Sequence, residues 1–450
     1  MSLKSFFEPD GVAVIGASRE PGKLGYEIFK NIIDAGFKGK LYPINPKADE
    51  VLGVKCYHSI KDVPGDVELV VIIVPARFVS SVISDCAAKG ANAAIVISGG
   101  FGETGAAGAE LERQLVEAAR KSGIRVVGPN CQGVNSTSSG LCASWPLVTK
   151  KGPISVISQS GTVLAALACW SDDDGVGINK IVALGNKCDV DETELLEYMS
   201  SDDGTKVVAM YIEGVRDGRK FFKVARTAAE RKPVLVLKGG RTAKGAEAVV
   251  SHTRSLAGKD AVFDAVFKQA GIQRAASVED LYDAVKGFAS LPLPKGRNVA
   301  IVTSSGGSGI MAVDACEEMG LNVVGLPVNL RDRLKEKLPP ECILRNPLDL
   351  TGSANSQMYD EVLTAFGESN DIDSVIVIVG DPMPGISDVI VKHISQGKTI
   401  IPVMLGGGKA EAAEKAKLGG LKIPVYSDSA RGARALSALT RYASWKKARP

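Results

Sequence analysis

Three times along this chain, a short run of β-branched and small apolar residues gives way to a turn of Gly, Ser and Ala and then to a helix-forming stretch. The segments are VAVIGASREPGKLGYEIFKNI, ISVISQSGTVLAALACW and VAIVTSSGGSGIMAVDACEEMG. An apolar strand with no polar alternation is buried on both faces, and a helix following it is what covers such a face. Further runs at 69–74 and 94–97 and a helical stretch at 108–121 continue the alternation. This is the pattern of a parallel sheet wrapped by helices, so the fold class is α/β. It restarts at 154–158 and 299–303, after turn-rich segments at 136–153 and 291–297, of which LPLPKGR is the clearest linker. With 450 residues and about 150 per domain, three doubly wound domains are expected, at 1–135, 136–292 and 293–450.

A helix that opens on Gly and Ser leaves its first N–H groups without intrahelical acceptors and turns its positive dipole end toward the preceding loop. Local anion sites are therefore expected at the three openings. Composition limits what those anions belong to. A net charge of +3 with scattered Lys and Arg is too small for a nucleic-acid or membrane surface. The eight cysteines contain no C-x-x-C pair, which disfavours zinc or any other metal centre and a disulfide framework, and suits a reduced, cytoplasmic protein. MSLKSFFEPD lacks the apolar core of a signal peptide, and no apolar run approaches the ~18 residues of a membrane span.

The first opening comprises Gly16, Ala17, Ser18, Lys23 and Gly25, and its spacing does not fit the G-x-G-x-x-G of a dinucleotide site. At the end of the next strand, where a nicotinamide site wants an acidic residue for the ribose, the chain has Lys47. A lysine there suits an additional phosphate. CoA carries one on its ribose besides its pyrophosphate, so CoA fits better than NAD. Later strand ends continue the crevice with Val74 and Pro75, with Ser98, Gly99 and Gly100, and with Asn130 and Cys131. Each of these is equally readable as a tight turn alone. Cys131 has no His or Lys beside it in sequence and reads as a packed small residue near the thiol end of the ligand, not as a nucleophile.

Of three histidines, His58 and His393 read as ordinary surface or packing residues. His252 lies in KGGRTAKGAEAVVSHTRSLAGKD, a long connection rich in Gly, Ala and Thr; such loops often carry function, although a lone loop histidine is more commonly a solvated residue. Glu213, at the end of the run YIEG, is placed to hold one imidazole nitrogen and leave the other nucleophilic. The openings Ser158-Gln159-Ser160-Gly161-Thr162 and Ser305-Gly306-Gly307 would supply N–H groups to a phosphate, or serve only as helix caps.

The motifs GASREPGKLGYE, INPK, VPA, GPNCQG, SQSGT, YIEG, SHTRSLAG, TSSGGSG and NPLDLTGSA occur in the order seen in α subunits of ADP-forming acetyl-CoA synthetases. The chain resembles that family, relatives of succinyl-CoA synthetase, over nearly its whole length. The resemblance implies a Rossmann-like CoA-binding domain followed by two flavodoxin-like domains. It implies an acyl phosphate formed from acyl-CoA and phosphate, His252 as the residue phosphorylated by it, and Glu213 as the acid that steadies the histidine. Arg254 stands where the family motif commonly has glycine. No G-x-x-x-x-G-K-[ST] loop is present, and the resemblance implies that ADP or ATP with Mg2+ sits on a separate ATP-grasp β subunit, in an α2β2 assembly. Glycines flanking the His252 loop would let it swing between sites. The alternatives are a non-catalytic CoA-binding regulator and an NAD-dependent dehydrogenase, the latter disfavoured by Lys47.

Overall fold

The computed structural model describes residues 3–449 except 254–257, and for 250–253 it describes the backbone alone. The fold is α/β, with three main sheets. The first is parallel throughout, in the order Lys40–Ile44, Gly11–Ile15, Leu69–Ile72, Ala93–Val96, Arg125–Val127. Tyr57 bridges in parallel to Ile44 and is the stub of a further strand at that edge. Counting it, the strands run 3-2-1-4-5-6 in chain order, the Rossmann arrangement. Val70, Ile72, Val79, Ile83 and Phe101 form part of its core.

The second sheet runs Gln273–Ala275, Val234–Lys238, Val207–Ile212, Lys151–Ser158, Ile178–Ala183, and ends in an antiparallel hairpin of Gly133–Ser136 and Leu141–Ser144. Without the hairpin this is the flavodoxin-like order, with the first strand, Lys151–Ser158, next to the edge strand Ile178–Ala183. The third sheet centres on Asn298–Thr303, parallel to Ser374–Val379, which is parallel to Thr399–Met404. On the other side of Asn298–Thr303, Asn322–Val323 pairs with its beginning and Leu348–Asp349 with its end, so two short segments share the place of one strand.

By packing, the chain divides into two compact units. One comprises Met1–Asp173 and Gly177–Arg274, and the other comprises Asp174–Val176 and Ala275–Pro450. The first therefore holds both the Rossmann-like and the first flavodoxin-like sheets. A backbone ladder ties these two sheets: Asn186, Cys188 and Val190 donate their N–H groups to the carbonyls of Pro129, Gly128 and Val126 at 2.9, 2.9 and 3.1 Å. Arg125 adds ion pairs to Asp189 at 2.9 Å and Glu194 at 2.6 Å. The second unit begins upstream of the LPLPKGR linker because the helix Val278–Ser290 packs along the helix Ser429–Lys447. There Arg431 holds the buried Asp283 through two bonds of 2.7 and 2.9 Å, and Phe288 meets Tyr442 edge-on.

Among the described residues no helix is long and apolar enough to cross a membrane. No group of three or more His, Cys, Asp and Glu among them is arranged to hold a metal ion.

Candidate functional site

Ligands of open parallel sheets bind beyond the carboxyl ends of the strands, where the strand order reverses. In the first sheet that point lies between Gly11–Ile15 and Leu69–Ile72. A cavity of about 310 Å³ opens there, lined among others by Gly16, Asn45, His58, Val74, Pro75 and Phe78. Gly16 and Gly25 are required by close backbone approach. A Cβ on Gly16, whose φ is +94°, would sit 2.2 Å from the Ile73 carbonyl oxygen, and one on Gly25 would sit 2.1 Å from that of Gly16. Asn45, which the sequence reading passed over, fixes the loop: its Nδ2 donates to the Ala17 carbonyl at 2.7 Å and its Oδ1 accepts from the Lys47 N–H at 2.8 Å. The Ser18 hydroxyl oxygen accepts from the Glu20 N–H at 3.1 Å. Lys47 is exposed, and Lys23, also exposed, pairs with Glu20 at 2.8 Å. His58 lines the same cavity and bonds Asp49 at 3.1 Å.

The remaining strand-end residues of this sheet are tied together. The Ser98 hydroxyl donates to the Val74 carbonyl at 2.5 Å, and the Asn130 N–H donates to the Ser98 carbonyl at 2.9 Å. Glu103 accepts from the N–H groups of Gly100 at 2.6 Å and Phe101 at 3.1 Å. Burial opposes its ionisation, but these bonds and one from Asn186 outweigh it and hold the carboxyl below the usual range. Cys131 is buried against the Val96 carbonyl at 3.3 Å, and burial pushes its thiol up to about 12. Cys131 is thus expected to resist iodoacetamide at pH 8 in the folded chain while the exposed Cys169 is alkylated, as peptide mass spectrometry would read.

In the second sheet the order reverses between Lys151–Ser158 and Val207–Ile212, and Glu213 directly follows the latter. Glu213 is only 6% exposed. Its Oε1 accepts from the Tyr211 hydroxyl at 3.3 Å, while its Oε2 is buried with no partner among the described residues. Burial, with the neighbouring Glu213 charge, pushes the Tyr211 phenol up to about 12, so Tyr211 stays a neutral donor. Gln159 is spent internally: its Oε1 accepts from the N–H groups of Glu213 at 2.5 Å and Gly214 at 3.4 Å, and its Nε2 donates to the Gly214 carbonyl at 3.0 Å. The Gln159 side chain therefore holds the Glu213–Gly214 peptide.

The helix Gly161–Asp173 opens beside them. The buried Ser158 hydroxyl bridges residue 160, donating to its carbonyl at 2.6 Å and accepting from its N–H at 3.1 Å. Gly161 and Thr162 then occupy the first helical positions, where N–H groups have no intrahelical acceptor. The third sheet repeats this device. The buried Thr303 hydroxyl donates to the Ser305 carbonyl at 2.9 Å and accepts from its N–H at 2.8 Å, ahead of the helix Gly306–Glu318. Gly306 faces the Asp349 carboxylate, which would lie 2.8 Å from a Cβ there, whereas Gly307 has open space. The first opening has no such hydroxyl bridge. The Ser305 opening belongs to the second compact unit and the others to the first.

His252 lies on a helix, Ala243–Thr253, and not in the loop that its glycines and threonines suggested. Thr242 caps it, its Oγ1 accepting from the Gly245 N–H at 3.1 Å, and the following run of Ala, Lys and Glu has high helix propensity. The His252 side chain and Arg254 lie outside the described residues. His393 is buried and bonded to Asp360 at 2.8 Å, a structural role.

Comparison with known proteins gives three family matches along the chain. Residues 10–137 match a CoA binding domain, 151–288 a succinyl-CoA ligase like flavodoxin domain and 299–396 a ligase-CoA domain. The chain is 40% identical over 466 residues to the acetate–CoA ligase [ADP-forming] I subunit alpha of Pyrococcus furiosus, covering 99% of each. It is 41% identical over 443 residues to the acetate–CoA ligase [ADP-forming] I of Archaeoglobus fulgidus, where it spans 98% of itself but 64% of that protein. The solved dinucleotide-forming acetyl-coenzyme A synthetase 1 of Ca. Korarchaeum cryptofilum, in complex with phosphate and ADP, superposes with a TM-score of 0.92 at 38% identity, covering 99% of this chain and 98% of that one. By identity and coverage, the chain belongs to the family of ADP-forming acetate–CoA ligase α subunits.

Proposed function

We propose that this chain is the CoA-binding, phosphohistidine-carrying subunit of an ADP-forming acyl-CoA ligase. The observation that carries this reading is the Glu213 carboxylate at the reversal point of the second sheet, with one buried oxygen that has no donor among the described residues. A buried carboxylate with a free oxygen suits an imidazole N–H: it fixes the tautomer and leaves the other ring nitrogen to attack phosphorus. His252 is the residue assigned to that role.

The chemistry balances in three displacements. A phosphate oxygen attacks the thioester carbon of acyl-CoA, and the C–S bond breaks to release CoA as thiolate. A His252 nitrogen attacks phosphorus of the acyl phosphate, and the P–O bond breaks to release the carboxylate. An ADP oxygen then attacks the phosphohistidine phosphorus, the P–N bond breaks, and ATP leaves. Gly16, Ala17, Ser18, Lys23, Gly25 and Lys47 are assigned to the phosphate-bearing part of CoA. Val74, Pro75, Ser98, Gly99, Gly100 and Asn130 line the rest of its crevice, with Cys131 packed beneath the thiol end. The N–H groups at Gly161 and Thr162, and those at Gly306 and Gly307, are assigned to the phosphoryl group, with Ser158, Ser160 and Ser305 shaping the two helix openings.

ADP and Mg2+ are assigned to an ATP-grasp β subunit in an α2β2 assembly, the alpha-subunit names and the longer single-chain relatives supporting a second part. Eight free thiols suit the cytoplasm. The test separates the stages. Acetyl-CoA with radiolabelled phosphate is expected to leave acid-labile label on the chain and to release CoA without nucleotide. Added ADP should discharge that label to ATP only when an ATP-grasp partner is present. Discharge by the chain alone, or tight NAD binding with no CoA binding, would overturn the assignment.

A further inference from the structure

Between the CoA crevice and Glu213 lies a loop that the proposed function leaves unassigned. Leu184 to Cys188 follows the strand Ile178–Ala183, and its Asn186 and Cys188 N–H groups are zipped to the carbonyls of Pro129 and Gly128 at 2.9 Å each. Gly185 lies against this segment so closely that a Cβ would come 2.2 Å from the Pro129 carbonyl oxygen and 2.4 Å from that of Asn130. Its two polar side chains diverge. The Asn186 Nδ2 donates to Glu103 at 2.6 Å and Glu112 at 2.8 Å, and its Oδ1 accepts from Asn130 at 3.3 Å. Glu103 is the carboxylate that organises the Gly100 and Phe101 N–H groups.

Lys187 turns the other way. It is 8% exposed and adopts a left-handed backbone, φ +48°, where non-glycine residues are uncommon and cluster at functional sites. Its ammonium donates to the Gly214 carbonyl at 2.7 Å and to the fully buried Glu192 at 2.9 Å. Gln159 holds the same two groups, its Nε2 donating to the Gly214 carbonyl at 3.0 Å and to Glu192 at 3.4 Å. The Glu213–Gly214 peptide is thus clamped, its N–H groups by Gln159 and the next carbonyl by Gln159 and Lys187 together. Arg216 in turn bonds the Lys187 carbonyl.

We infer that Lys187 is a positioning residue for Glu213 and that its neighbour Asn186 is the corresponding positioning residue for the thiol-end loops of the CoA crevice. One short loop sets the geometry of both stages: CoA release on one side and phosphoryl capture by histidine on the other. Both side chains act through other protein groups, so both are positioning residues. The left-handed backbone at Lys187 goes with two consecutive side chains that serve two separate crevices. This inference rests on the proposed function.

The test is a split between two readouts on the full-length chain: CoA affinity by calorimetry, and the rate of acid-labile labelling by radiolabelled acetyl phosphate, which needs no CoA. Lys187→Met is expected to slow labelling at least 10-fold while CoA affinity stays within 2-fold. Asn186→Ala is expected to weaken CoA about 10-fold and still be labelled faster than Lys187→Met. Lys187→Arg, which keeps the cation and its donors, should restore a substantial part of the labelling rate. Should Lys187→Met fail to fold, Lys187→Gln takes its place with the same expected split. Labelling of the folded Lys187 variant at the wild-type rate would overturn the inference, and so would parallel loss of CoA affinity and labelling, which marks a merely structural lysine. If wild type itself takes no label, it is the phosphohistidine reading that falls.

Discussion

Glu213→Gln is expected to lower the rate of acid-labile phosphorylation by acetyl phosphate by about 100-fold, the order attached to losing one acid–base partner. The amide has the same shape, so its oxygen can still accept from Tyr211, which donates to Oε1 at 3.3 Å in the parent. What is lost is the negative charge that favours a protonated ring nitrogen facing it and stabilises the imidazole as its other nitrogen attacks. Stability should change little, within about 1 kcal/mol, because the substitution exchanges one unpartnered buried polar atom for another and removes a charge that is costly to bury. Rate lost with the unfolding midpoint preserved is the signature sought, and stopped-flow quenching into alkali with urea titration in parallel would read both.

Gly16→Ala should do the opposite, damaging fold and ligand binding together. Its φ of +94° is a backbone conformation that side chains rarely adopt, and the new Cβ would lie 2.2 Å from the Ile73 carbonyl oxygen, a backbone atom that cannot swing aside. Strain and overpacking of this kind cost about 3 kcal/mol together. Because Gly16 also lines the cavity at the reversal point, relief of the clash would move the loop that Asn45 pins, and CoA affinity should fall at least 100-fold. Gly22→Ala is the matched control. Gly22 also has a positive φ, +83°, but no atom lies within 4 Å of its added Cβ, so a loss of only about 1 kcal/mol is expected.

Much of this arrangement was legible in the chain. Ser158 and Thr303 end apolar strands ahead of helices and Gly16 directly follows one, and a parallel sheet puts such ends at the ligand-binding edge. Glu213 was legible for the same reason. The helix under His252 was misread because Gly239, Gly240 and Gly245 and the threonines weigh as loop signals, while the helix is started by the Thr242 cap and carried by the alanines after it. Lys187 and Asn186 carried no local signal. Their roles come from a backbone ladder to residues 126–129, some 60 positions earlier, and from a left-handed lysine that no spacing announces. Gln159 lies in a serine-flanked helix opening, and nothing nearby in sequence indicates that two N–H groups and a carbonyl of a later strand end consume its side chain. Pairings between distant segments decide such cases, and periodicity reports only near neighbours.

The destination of the phosphoryl group decides the assignment of His252. The full-length chain, incubated with radiolabelled acetyl phosphate, digested under alkaline conditions and mapped by mass spectrometry, should carry a single acid-labile phosphate on His252. His252→Ala should take up none, although its CoA affinity is unchanged. Label on another residue, or undiminished acid-labile label in His252→Ala, would contradict it.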